Sequence, residues 1–389
     1  MDFAIVCLLS YLAGSIPFGY LIALRRGVDI RHAGSGNIGA TNVARQLGRK
    51  TGALVFALDF LKGALPTGIA LWLMHDTTLA VVAGLSAMAG HMFPIWLRFR
   101  GGKAVATGTG VVVMLLPTAA AIALLVWLAT LSATRFVSVA SILAAATVCG
   151  VQLVRSPAPL HGEQRILTLF SLAAFVLVAV RHADNLARLA AGRENQVTES
   201  RAMRSLAKVI HVLAMGLWFG SNVFFTFVAA VVIFKTWETY GDMPPNERPM
   251  WLPIAHHFTK ESGTTIAGAT VAPIFPFFFL IQGVCALLSL ITALGFSRAE
   301  PGRKVHRIRF YLILVAALTV TAGWPLAQMV GDLREQRYSL DAEVSGPAKQ
   351  QFGRLHLASL FLNFGTVGLV TAATALGAFL PGSLSERKS

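Results

Sequence analysis

The amino-acid sequence predicts an all-α integral membrane protein, a seven-span bundle followed by a four-helix transmembrane domain. Three observations lead there. Of 389 residues, 55% are apolar and only 13% charged, about half the roughly 25% charge of a soluble globular chain. The mean hydropathy is +0.65. Long apolar runs recur along the chain, and the polar segments between them share the positive charge unevenly. This composition excludes a soluble enzyme, a disordered chain and a disulfide scaffold. Cys7, Cys149 and Cys285 each sit inside an apolar run, too far apart for metal-ligand spacing, and read as small hydrophobes.

The formal net charge of +15 raises the question of nucleic acid. Placement answers it. Residues 25–50 hold Arg25, Arg26, Arg31, Arg45, Arg49 and Lys50 against a single Asp29, whereas His75 to Thr78 holds no Lys or Arg. Such alternation is membrane topology, and no nucleic-acid partner is expected.

A lipid-crossing helix needs roughly 20 apolar residues. The first run, 3–24, lacks the positive leading region of a secretory signal and ends at Arg25-Arg26, which predicts a retained anchor with the amino terminus outside. Further runs are 52–74, 79–97, 105–131, 136–154 and 166–180. Taken as one span, 105–131 would place the basic segment 181–193 outside. Pro117 breaks that helix midway, so the sequence predicts two short helices, 105–116 and 118–131, that go partly across and return. Each would be about 20 Å long or less. The second half supplies runs 206–234, 266–296, 310–330 and 354–380. Loop 297–309 carries Arg298, Arg303, Lys304, Arg307 and Arg309 against Glu300 and is expected inside, as is the Arg387-Lys388 tail. Loops 235–265 and 331–352 mix both signs and are expected outside. The total is eleven spans, in domains 1–196 and 206–389 joined by a polar connection, 197–205.

Three polar segments interrupt the first half. The first is GSGNIGATNVAR, Gly34 to Arg45. Its small residues let backbone N–H groups converge on an anion, its Ser, Thr and Asn side chains add donors, and Arg45 can fork around phosphate. The same glycines suit a flexible turn or close helix packing. The second is RFRGGKAVATG, Arg98 to Gly108, glycines and Lys103 opening an apolar helix as at helix-terminal phosphate sites. It is not a Walker A loop, because the upstream glycine is missing and Ala104 follows Lys103. Positive-inside flanking accounts for Arg98 and Arg100 but not for Gly101-Gly102. The third is RHADNLARLAAGRE, Arg181 to Glu194, where His182, Asn185 and Arg188 would share one helical face. A juxtamembrane basic helix is its plainer reading. Under the topology above, all three reach one membrane face, which implies a doubly anionic substrate.

GSGNIGATNVAR, GGKAVAT and RHADNLARLAAGRE resemble, in order and spacing, the three signature motifs of the acyl-phosphate:glycerol-3-phosphate acyltransferases of PlsY type, over residues 1–196. The resemblance implies catalytic roles for Ser35, Arg45, His182 and Asn185. It implies substrate contacts from Gly36, Asn37, Thr41, Asn42, Gly101, Gly102, Lys103, Thr107, Ser138, Ser141 and Arg188. It makes Glu194 structural, with Asp59 and Lys62 of DFLKG as an i, i+3 pair that neutralises itself in the membrane. Two positions depart from the family pattern: Ala104 stands where Gly is usual, and Gln196 where a lysine is common. The first is expected to tighten the phosphate loop and lower affinity. None of the ten histidines has an aspartate five residues on, so the His-x-x-x-x-Asp pattern of the other large acyltransferase class is missing.

The resemblance implies acyl transfer from acyl phosphate to the 1-hydroxyl of glycerol 3-phosphate, giving lysophosphatidate. It implies no metal or other cofactor, and an active site and carboxyl terminus on the cytoplasmic side of the bacterial inner membrane. Acyl phosphate is already activated, so positioning and charge stabilisation dominate. Either His182 or the leaving phosphate can accept the proton. The rival reading is an organic-phosphate or lipid transporter using the same anion site, which would need an outward polar vestibule that the short outward loops do not offer. In the second half, HVLAMGLWFGSNVFFTF (211–227) and FGRLHLASLFLNFG (352–365) resemble an uncharacterised family of four-helix bacterial membrane domains, which suggests a protein partner. His211 and His356 invite a metal or haem reading, but the topology puts them near opposite faces. Adjacent His256 and His257, which could meet His356, are a weak metal signal. A cysteine at Ser132, in a chain freed of its native cysteines, should be labelled from the cytoplasmic side only; labelling from outside would restore one long helix through Pro117.

Overall fold

The computed structural model of the chain describes residues 3–156, 158–198, 201–244, 247, 259–337 and 341–380. It divides into two compact units, Met1–Thr198 and Glu199–Ser389. Every regular element among the described residues is helical. Ten helical stretches are long and apolar enough to cross a membrane, and Val105–Leu115 is a shorter apolar helix.

In the first unit, α1 (Phe3–Ser15) and α2 (Phe18–Leu24) together make the expected span 3–24, interrupted at Ile16-Pro17. Pro17 has no N–H and interrupts the ladder. The Ile16 carbonyl freed at the break accepts a hydrogen bond from Lys62 Nζ at 3.0 Å, as a backbone group inside lipid requires. The short α3 (Ala40–Leu47) leads into α4 (Arg49–Gly68), which continues through a π-turn, Ile69–Leu73. Asp76 caps α5 (Thr77–Met92) by accepting from the Leu79 N–H at 2.9 Å.

Pro117 does break the helix. The chain kinks at Leu116 (φ −136°, ψ 61°) between α6 (Val105–Leu115) and α7 (Pro117–Thr134), with the proline at the first helical position. The two pieces are unequal, contrary to expectation. With 11 residues, α6 reaches about 16 Å, whereas the 18 residues of α7 reach about 27 Å and qualify as a span. The apolar run simply continues to Thr134 beyond the expected end. After α8 (Val137–Arg155) and α9 (Gly162–Arg181), the short α10 (Ala183–Ala190) ends the unit's helices.

Glycines set the closest helix contacts. A Cβ on Gly14 of α1 would lie 2.1 Å from the Ala87 carbonyl of α5, and one on Gly90 of α5 would lie 2.2 Å from the Tyr11 carbonyl of α1. Gly63 of α4 and Gly110 of α6 repeat the reciprocal arrangement, facing the Thr107 and Phe60 carbonyls at 2.1 and 2.2 Å. Small residues allow backbones to approach this closely where lipid supplies no hydrophobic drive.

The second unit is four long helical stretches. α11 (Arg201–Phe224) passes through a π-turn into α12 (Ala230–Asp242), and α13 (Lys260–Val271) passes through a 3-10 turn into α14 (Phe275–Ala299). α15 (Lys304–Gln336) and α16 (Ala342–Ala375) follow. Much of the expected loops 235–265 and 331–352 is therefore helix. Gly263 brings α13 onto the Trp237 carbonyl of α12, where a Cβ would lie at 2.1 Å. Met215, Trp218, Cys285, Ile313, Ala316 and Val370 form the core. His256, His257 and the Arg387-Lys388 tail lie outside the described residues.

Two substitutions test this packing. Gly63→Val must push α4 off α6 and should cost about 1–3 kcal/mol, read as a lowered thermal midpoint in detergent; an unchanged midpoint would contradict the backbone contact. Ala104, 1% exposed, precedes α6 in the left-handed region (φ 56°, ψ 18°) that disfavours a Cβ. Ala104→Gly should stabilise by about 1 kcal/mol, and a lowered midpoint would contradict strain at this position.

Candidate active site

The three polar segments of the first unit line one cavity of about 590 Å³. Asn42 shapes the first. It is 2% exposed; its Oδ1 accepts the Ser35 N–H at 3.0 Å, and its Nδ2 faces the Ala33 and Asn37 carbonyls at 2.9 Å each and the Ile30 carbonyl at 3.4 Å. Asn37 Oδ1 accepts the Gly39 N–H at 2.8 Å. Positive φ at Gly34 (61°) and Gly36 (69°) turns the loop. Asn42 lines the cavity, and its amide holds the loop. Ser35, Gly36, Thr41 and Arg45 line the cavity. Arg45 Nη2 donates to the Asn195 carbonyl at 3.4 Å, which joins this loop to the chain beyond α10.

The second segment differs from a phosphate cradle. The Gly101 and Gly102 N–H groups donate to the Met92 and His91 carbonyls at 3.1 and 3.0 Å, at the end of α5. A Cβ on Gly102 would lie 2.0 Å from His91 Nε2, and one on Gly101 would lie 2.2 Å from the His91 carbonyl. The two glycine carbonyls accept from Arg181 Nη2 at 3.3 and 2.9 Å. The double glycine is therefore a packing requirement that seats the loop, and neither glycine is among the cavity-lining residues. Thr107 is not among the cavity-lining residues. Fully buried, with its carbonyl against Gly63, it belongs to the α4–α6 contact. The one charged side chain this segment delivers to the cavity is Lys103, beside Ala104, Val105, Ala106 and Gly108.

Lys103 Nζ donates to Asn185 Oδ1. Asn185 Nδ2 donates to Glu194 Oε1 at 2.6 Å, which Ser138 Oγ also approaches at 3.1 Å. Arg188 Nε donates to Glu194 Oε2 at 3.0 Å. The Glu194 side chain is 5% exposed. Burial opposes its charge, but the hydrogen bonds from Asn185, Ser138 and Arg188 outweigh it and hold the carboxyl below its ordinary range. Burial, reinforced by the Arg188 charge, pushes the Lys103 ammonium down to about 8 despite Glu194.

His182 caps α10 between α9 and α10 (φ −106°, ψ 9°), and it lines the cavity together with Asn185 and Arg188. Its Nδ1 lies 2.8 Å from the Val178 carbonyl and must donate to it, which leaves Nε2 with a lone pair. Burial holds the imidazole down to about 4, against that bond and with the help of the Lys103 charge. Ser141 Oγ accepts from Trp127 Nε1 at 3.4 Å. Asp59 and Lys62 form a buried ion pair at 2.8 Å, with His91 Nδ1 3.7 Å from the same carboxylate oxygen. From these polar groups the cavity extends between α7, α8 and α9 along Ala123, Leu124, Trp127, Ala145 and Val148.

Arg181 and His91 are the contributors that the motifs did not single out. Arg181 stood inside the third segment, where the reading as a juxtamembrane basic helix covered it; nothing in the sequence near His91 marked it.

A family model described as glycerol-3-phosphate acyltransferase matches residues 4–192, and one described as a domain of unknown function (DUF4149) matches residues 213–338. The glycerol-3-phosphate acyltransferase of Myxococcus xanthus is 45% identical over 191 residues, 49% of this chain and 96% of that protein. Those of Aquifex aeolicus and Roseiflexus are 43% and 46% identical, covering 48% and 49% of this chain and 95% and 92% of theirs. The crystal structure of PlsY, an integral membrane glycerol 3-phosphate acyltransferase, in its glycerol 3-phosphate form gives a TM-score of 0.48 at 41% identity, covering 50% of this chain and 96% of that one. Through its first half, the chain belongs to the glycerol-3-phosphate acyltransferase family of integral membrane proteins.

Proposed function

We propose that residues 1–196 transfer a fatty acyl group from acyl phosphate to the 1-hydroxyl of glycerol 3-phosphate, releasing lysophosphatidate and phosphate. The observation that carries this reading is the Lys103–Asn185–Glu194 chain, which brings the second and third motifs to the cavity lined by Ser35 and Arg45. Arg45 and Lys103 bind the glycerol phosphate dianion, with Ser35, Gly36, Asn37 and Thr41 around it. Asn42 and Glu194 are positioning residues, the first for the Ser35 loop and the second for Asn185 and Arg188. Ser138 and Ser141 stand where the polar pocket gives way to the apolar channel between α7 and α9, which accepts the acyl chain. The site opens to the cytoplasm of the bacterial inner membrane, with the amino terminus outside, in keeping with the basic segments beside it.

The glycerol hydroxyl oxygen attacks the acyl carbonyl carbon, and the carbonyl–phosphate C–O bond breaks. A histidine held to about 4 is neutral at pH 7 and a weak base. His182 Nε2 accordingly accepts a hydrogen bond from the hydroxyl and orients it. The departing phosphate takes the proton and leaves as hydrogen phosphate.

Arg45→Ala and Lys103→Ala should each raise KM for glycerol 3-phosphate about ten- to a hundredfold, the loss of one charge-assisted contact; unchanged kinetics in both would remove this site. Lys103 carries its charge below about pH 8 and loses it above. KM for glycerol 3-phosphate should therefore be steady up to about pH 8 and climb beyond it, about tenfold per unit. Lys103→Arg should abolish that climb, and an alkaline limb that survives in it would assign the titration elsewhere.

A further inference from the structure

The second unit buries polar groups whose pairing is incomplete. Arg309 of α15 is 0% exposed. Its Nη1 reaches the Leu376 carbonyl at 3.5 Å and its Cζ lies 5.4 Å from the Phe296 ring centroid. Nε and Nη2 have no hydrogen-bond partner among the described residues. Those two nitrogens form one edge of the guanidinium, the geometry that takes both oxygens of an oxyanion. Arg31 shows that geometry in this protein: its Nε and Nη2 hold Asp29 Oδ1 and Oδ2 at 2.9 and 2.7 Å. Glu300, near the same end of the unit, is engaged with His306 at 3.1 Å and Arg303 at 3.3 Å. A charge this deep in a spanning helix calls for a partner.

His211 of α11 packs its edge against the same Phe296 ring, with centroids 5.4 Å apart, and is 1% exposed. Its Nδ1 lies 2.8 Å from Thr292 Oγ1. The Thr292 hydroxyl has one proton, directed at the Leu288 carbonyl at 2.7 Å, so Nδ1–H donates and Nε2 keeps a lone pair. That Nε2 also has no partner among the described residues. Arg309, with its two-nitrogen donor edge, and His211, with its acceptor, thus both contact the Phe296 ring.

We infer that Arg309 and His211 bind a phosphomonoester in the four-helix unit. Two phosphate oxygens lie on the Arg309 edge, and a P–OH donates to His211 Nε2. A carboxylate fits less well, because it satisfies Arg309 but sets a lone pair against that of His211. Arg298, Lys304 and Arg307, on and beside the α14–α15 connection, add attraction for the anion. The same chemistry is presented by soluble phosphate and by a lipid with a phosphomonoester head. This inference does not depend on the acyltransferase reading of the first unit.

The test is hydrogen exchange by mass spectrometry on the full chain in phosphatidylcholine nanodiscs, read on peptides covering residues 285–315. Sodium phosphate, sodium acetate at equal ionic strength and discs doped with phosphatidic acid are compared. Slowed exchange with phosphate identifies a soluble ligand, and slowed exchange only in doped discs identifies a lipid. Arg309→Met should raise the half-protecting concentration about ten- to a hundredfold. Arg309→Lys, which keeps the charge but not the two-nitrogen edge, repeats the comparison should the methionine variant fail to fold. Protection in no arm, equal protection by acetate, or protection unchanged by substitution overturns the inference.

Discussion

The polar cavity of the first unit depends on one buried carboxylate. Arg45, Lys103, Arg181 and Arg188 all line a single cavity, and four cations so close would repel one another unless held. Glu194 offsets Arg188 through a 3.0 Å ion pair and, through Asn185, orients Lys103. Arg181 is held by the Gly101 and Gly102 carbonyls and lies 5.6 Å from the Phe93 ring centroid. Lys103 and Arg45 are the cations proposed to meet an anionic substrate. Glu194 also binds Ser138 of α8, so one carboxylate ties α8, α10 and the loop ahead of α6 together.

Much of this was legible in the sequence, because bilayer constraints are strict. Length, hydropathy and the distribution of Lys and Arg gave the spans, and Pro117 gave the break between α6 and α7. The three motifs gave most of the polar residues that line the cavity. What escaped was the direction in which backbone groups point. Gly101-Gly102 reads as a phosphate cradle, yet its N–H groups serve the α5 carbonyls and its missing side chains make room for His91. Asn42 and Thr107 look like donors to a ligand but serve a loop and a helix contact, since residue type alone does not say which face a side chain takes. The helices of the second unit outran their apolar cores because α12, α13, α15 and α16 continue through polar residues that hydropathy assigns to loops.

One rule runs through both units: a charge in a spanning helix must be met. Lys62 answers Asp59 and at the same time repairs the Pro17 break through the Ile16 carbonyl. In the α14–α15 connection, Glu300 lies 3.1 Å from His306 Nε2 and 3.3 Å from Arg303 Nε. Where the chain itself supplies the match, as for Asp59, the role is structural. Where a buried donor edge is left to something else, as at Arg309, the same rule points to a ligand, and it does so in the half of the chain to which no activity is assigned.

The central claim is that acyl transfer belongs to the first unit alone, since each motif residue and each cavity-lining residue lies before position 196. The most direct measurement is the rate at which residues 1–200, expressed without the rest, convert labelled glycerol 3-phosphate and acyl phosphate to lysophosphatidate in membranes. The account predicts turnover and a KM for glycerol 3-phosphate close to those of the full chain. An inactive fragment that regains turnover when residues 201–389 are supplied would contradict it, because the four-helix unit would then complete the site.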